Sequence, residues 1–122
     1  MNRKTFLTQT LTSVSALTVA HQLAFPQEEP KPLDAKLVKE FVIAGHGKLD
    51  RVQEMLTDYP NLIYCCYDWG NGDFEEAIEG AGHLGNREIA EHLIEQGARV
   101  NLFVLTMLGK TDLVKPVLEA YP

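Results

Sequence analysis

Residues Gly85–Ile94 read G-N-R-E-I-A-E-H-L-I. The apolar positions Ile89, Ala90, Leu93 and Ile94 recur at offsets that trace one face of a helix. Two other stretches line up on the same glycine. They are G-K-L-D-R-V-Q-E-M-L from Gly47 and G-K-T-D-L-V-K-P-V-L from Gly109. Val52, Met55 and Leu56 occupy the apolar register in the first, and Leu113, Val114, Val117 and Leu118 in the second. A second echo joins M-L-T-D-Y-P at Met55–Pro60 to V-L-E-A-Y-P at Val117–Pro122. Each glycine follows another apolar-rich run: Leu37–Ala44, Ala77–Leu84 and Leu102–Leu108. The repeating unit is therefore helix, glycine turn, helix, with the glycine as a left-handed C-cap. One such pair cannot bury its apolar face alone, whereas stacked pairs can.

Asn71–Asn101 resembles an ankyrin repeat, most closely in Gly85, Ile89-Ala90, Leu93-Ile94 and Gly97-Ala98-Arg99-Val100-Asn101. Glu76-Ala77-Ile78-Glu79 stands where that family usually has T-P-L-H. The resemblance extends over Leu33–Pro122 and implies an all-α, ankyrin-type solenoid of about three stacked helix pairs with a long hairpin-like finger. The runs Ala44–Gly47, Asp68-Trp69-Gly70, Gly72-Asp73-Phe74 and Met107–Lys110 look like those of exported bacterial ankyrin-repeat proteins. Those relatives continue past the point where this chain stops, so a C-terminally truncated domain is expected.

Repeat spacing is uneven. Gly47 and Gly85 are 38 residues apart and Gly85 and Gly109 are 24 apart, against a usual period of about 33. The long interval contains C-C-Y-D-W-G-N-G-D, Cys65–Asp73. Asn71-Gly72 is a tight-turn signal at the tip of this finger. Trp69, beside two glycines, is expected to be exposed, and Phe74, just before a helix, to pack against the stack. In the short interval Asn101 leads almost directly into the next helix. Pro116 falls inside the last helix pattern, where it removes one backbone hydrogen bond.

The N-terminus carries Arg3 and Lys4, then an uncharged run from Leu7 to Ala24 diluted by Thr10, Thr12, Ser13, Ser15 and Thr18. This reads as an export signal over residues 1–24, with cleavage near His21 or Ala24. It resembles a twin-arginine signal with Lys4 in place of the second arginine. A periplasmic or extracellular location follows as an expectation, with no membrane span in the mature chain. Three prolines and two glutamates make residues 25–33 a solvated linker, and Asp34 is placed to cap the first helix of a domain over 34–122.

Composition limits the function. The chain of 122 residues is one domain's worth, 45% hydrophobic and 23% charged, with a formal net charge of -6. That balance excludes a typical nucleic-acid binder, which needs a basic surface. No G-x-S-x-G, H-E-x-x-H or P-loop motif is present, so no enzyme is expected. Cys65 and Cys66 are adjacent, with Cα atoms about 3.8 Å apart, below the usual disulfide range of about 4.4–6.8 Å. Free or packed thiols are expected, with a strained vicinal disulfide or a metal ligand as the alternatives.

His46 and His83 each sit just before a repeat glycine. Neighbouring helices lie about 8–10 Å apart, so the two rings could converge on one metal only with help from the finger. Turn hydrogen bonds and partner contacts are the other readings. The acids Asp68, Asp73, Glu75, Glu76 and Glu79 suit a solvated face. Ankyrin-repeat proteins bind proteins on the face made by fingers and first helices. The resemblance thus implies a non-catalytic protein-interaction module without cofactor. Its contact residues would be Tyr67, Asp68, Trp69, Asp73, Glu76, Glu79 and His83, facing a basic or amphipathic protein partner. The alternative is an exported small-molecule or metal binder using the histidines and the acidic finger.

Overall fold

A computed structural model describes residues 30–122. The expected export signal, and the linker up to residue 29, lie outside the described residues. Leu33–Pro122 form one compact unit.

Asp34 opens the first helix, α1 (Ala35–Gly45), by accepting the Lys36 backbone N–H on Oδ1 at 2.7 Å. α1 buries Val38, Phe41, Val42, Ala44 and Gly45, the stripe that helical periodicity requires. Helix α2 (Leu49–Asp58) runs back along it and buries Val52, Met55 and Leu56. Pro60 cannot donate to α2 and instead starts a 3-10 helix, Pro60–Tyr64, which turns Leu62 and Ile63 into the core.

Two antiparallel strands follow, β1 (Cys66–Gly70) and β2 (Asp73–Glu76). Their register pairs Cys66 with Glu76, Tyr67 with Glu75, Asp68 with Phe74, and Gly70 with Asp73. The shift between Asp68 and Gly70 marks a bulge at Trp69. Asn71 and Gly72 at the tip have φ of 56° and 83°, the two left-handed residues that a tight type I′ hairpin turn needs.

Helix α3 (Ala77–His83) begins where Glu79 Oε2 accepts the Glu76 backbone N–H at 2.7 Å. Helix α4 (Arg87–Glu95) is capped by Asn86 and buries Ile89, Ala90 and Leu93. Helix α5 (Leu102–Met107) is capped by Asn101, whose side-chain Nδ2 also donates to Glu79 Oε1 at 2.8 Å. One asparagine thus starts α5 and ties it to α3. Helix α6 (Thr111–Ala120) continues through Pro116 and has no buried residue.

α3 is the centre of the unit, packed between α1 on one side and α5 on the other, with α4 behind it. Small residues allow these approaches. A side chain on Gly45 would run into the Ala77 backbone, 2.8 Å from its carbonyl carbon. One on Gly82 would meet Val104 Cγ2 at 3.1 Å. Phe41, Met55, Leu62, Ile78, Ile89 and Leu93 fill the core between the helices.

The expectation of an all-α ankyrin-type solenoid is corrected. The chain is mostly helical, with six helices among the described residues, but it includes an antiparallel two-stranded sheet. Helix lengths are unequal: α3 has 7 residues and α5 has 6, against 11 in α1. The last helix adds no buried layer, so three equivalent stacked pairs do not form. The physical reason lies in the uneven intervals: the long one has enough residues to pair as strands, and the short one leaves α5 only a turn and a half.

Candidate functional site

The strands' alternation sorts the hairpin side chains. Tyr67, Trp69 and Glu75 share one face, and Cys66, Asp68, Phe74 and Glu76 the other. Tyr67 and Trp69 meet edge to face at 4.8 Å between ring centroids. Lys39 of α1 places its Nζ 5.4 Å from both ring centroids. This cation–π contact holds the hairpin against α1. Trp69 is therefore 39% exposed, while Phe74 on the opposite face is 61% exposed. That reverses the order expected from sequence, because strand alternation and not closeness to α3 decides where Phe74 points.

Glu75 is the hub beneath the hairpin. Its Oε2 accepts the Trp69 indole N–H at 2.8 Å. Its Oε1 lies 3.3 Å from Nε2 of His46 and 3.3 Å from Nδ1 of His83. The two imidazole rings are 4.8 Å apart at 65°. His46 follows α1, and its Nδ1 donates to the Val42 carbonyl at 2.9 Å. The His46 ring rests on Gly80, where an added Cβ would be 2.7 Å from its Cε1.

Of the residues expected to face a partner, Tyr67, Trp69 and His83 come together around Glu75. Glu76 and Glu79 lie at the start of α3, next to Asn101 and with Arg99 at 4.0 Å from Glu76. Asp68 is turned to its own loop, where Oδ1 accepts the Gly70 backbone N–H at 2.8 Å. Asp73 is exposed at the tip. Sequence reasoning counted Glu75 only among a group of acids. Its signal was the alternation in Cys66–Glu76, which puts it beside Trp69 once the register is known.

Burial pushes the Glu76 carboxyl above its ordinary range, with the neighbouring Glu79 adding to the effect and Arg99 opposing it. Cys65 and Cys66 are free thiols. Burial raises both, and the Glu76 charge raises them further. The thiolate is the nucleophile. Both are therefore expected to react with iodoacetamide at pH 7.5 more slowly than free cysteine. Unfolding in urea should restore the ordinary rate, as quench-flow mass spectrometry would report.

Farther along α3, an open groove of about 620 Å³ is lined by Glu79, Gly82, His83, Asn101, Leu102, Phe103, Val104, Thr106, Met107 and Leu118. Phe103 is 81% exposed and Leu118 is 50% exposed along it. Among the described residues no helix is long and apolar enough to cross a membrane. No protein-family profile, curated protein or solved structure matches the chain.

Proposed function

We propose that the domain is a non-catalytic protein-interaction module of an exported bacterial protein, and that it binds a basic amphipathic segment of its partner. The groove between α3, α5 and α6 carries this reading. An aromatic ring that is 81% exposed costs solvation unless something covers it, and here it sits among Leu102, Met107 and Leu118 rather than alone. Glu79 and His83, two of the residues singled out from sequence, line the same groove. The charge of -6 argues for basic residues along the partner's polar edge. Phe103 and Met107, four residues apart on α5, line the groove as apolar contacts for the anchors of an amphipathic helix. Export is supported by Arg3, Lys4 and the uncharged run that follows.

The test compares two fluorescent helical peptides with the same apolar pattern, one bearing lysines and one glutamates on the polar face. The basic peptide is expected to bind more tightly, with affinity falling as salt rises. Phe103→Ala should weaken it about tenfold or more, the loss typical of an aromatic anchor. Equal binding of both peptides, binding indifferent to Phe103→Ala, or a dimer of the chain that hides the groove would each overturn the reading.

A further inference from the structure

We propose that His46, Glu75 and His83 form a divalent transition-metal site of the zinc class. The ligand atoms are His46 Nε2, Glu75 Oε1 and His83 Nδ1. They come from three separate places in the chain: the end of α1, strand β2 and the end of α3. All three lie within 4.8 Å of one another. Zinc bonds of about 2.0–2.1 Å put neighbouring corners of a tetrahedron about 3.3 Å apart. Both nitrogen-to-carboxylate distances already have that length, 3.3 Å. Only the edge between the two nitrogens, within 4.8 Å, must shorten, and the His83 side chain, 54% exposed, is not held by close packing.

The arrangement around the ligands points the same way. Nδ1 of His46 faces the Val42 carbonyl, which can only accept, so that nitrogen carries its hydrogen. Nε2 then presents a lone pair toward the Glu75 carboxylate. Two lone pairs at this distance repel unless a cation, either a proton or a metal ion, stands between them.

The outer partners are those that metal ligands use: a backbone carbonyl behind His46 and an indole N–H on the second oxygen of Glu75. Gly80 clears the space that the His46 ring occupies. Two imidazoles and one carboxylate suit zinc and its neighbours better than calcium or magnesium, which take oxygen ligands. Three protein ligands leave a fourth position for water. The hairpin thus adds a third ligand to two histidines that stand at the ends of neighbouring helices.

The test uses the full chain without a histidine tag. Calorimetric titration with zinc chloride is expected to give one ion per chain with micromolar or tighter Kd. Cobalt(II) should give the visible absorption of a tetrahedral site. Glu75→Gln and the half-exposed His83→Ala should each weaken zinc more than about tenfold, since even outer partners of ligands are worth about 10–100-fold. Gly80→Ala should lose affinity while keeping its helical circular dichroism, because the new methyl displaces the His46 ring. His92→Ala, outside the cluster, should bind as the wild type does. Absence of zinc binding, or binding that survives unchanged in both Glu75→Gln and His83→Ala, would overturn the proposal.

Discussion

Gly45→Ala is expected to destabilise the domain by about 3 kcal/mol, the upper part of the range for forcing atoms into a packed core. For a domain of this size that lowers Tm by more than about 10 °C. The sign is informative, because helix propensity alone acts the other way. Gly45 lies within α1, and alanine there would favour the helix by about 0.5–1 kcal/mol. The methyl group, however, would meet the Ala77 backbone, 2.8 Å from both its carbonyl carbon and its Cα. Backbone at the start of α3 cannot step aside as a flexible side chain can. Moving it would also shift Glu75 and the hairpin. A thermal melt showing Gly45→Ala as stable as wild type, or more so, would mean that α1 and α3 do not approach at this point.

Phe41→Ala is expected to cost about 3–5 kcal/mol, as for other buried aromatics truncated to alanine. Phe41 is 1% exposed and belongs to the core cluster with Val52, Met55, Leu62 and Ile78. Domains are stable by about 5–15 kcal/mol in all, so this one substitution removes a large share. Phe103→Ala is the matched control. Phe103 is 81% exposed, and its loss should change stability by no more than about 0.5 kcal/mol. Urea unfolding followed by circular dichroism would show a lowered midpoint for Phe41→Ala, with little change in slope. Equal midpoints for the two variants would contradict the assignment of core and surface.

Much of the helical content was legible. Asp34 and Asn101 begin helices as their side chains suggest, because a carboxylate or amide oxygen satisfies an orphan N–H. Gly85 and Gly109 adopt φ of 70° and 72° after their helices. Gly47 does not, so the three aligned glycines are not equivalent. The Asn71-Gly72 turn was legible from its dipeptide. The hairpin-like finger expected around that turn forms as two paired strands. Apolar periodicity reports helices well, but it leaves open the strand register that puts Glu75 and not Glu76 on the face of Trp69. The pattern also overstated the last helix. Leu113, Val117 and Leu118 keep helical spacing yet stay 52%, 43% and 50% exposed. Periodicity shows which face a helix would bury, not whether anything in the chain covers it.

The cluster around Glu75 was half legible. The two histidines stand out at matched ends of helices, but their separation depends on packing that sequence spacing does not give. Glu75 is indistinguishable from its neighbour Glu76 until the strand register turns one toward the histidines and the other toward Arg99.

The reading of the domain as a binding module rests on the groove beside α3 and α5. Its most direct test is a titration of isotope-labelled protein with the basic amphipathic peptide, followed by nuclear magnetic resonance. The shift changes are expected to concentrate at Glu79, Leu102, Phe103, Met107 and Leu118, and to leave Gln53, Thr57 and His92 on another face unmoved. Changes centred on that other face, or no changes at saturating peptide, would contradict it.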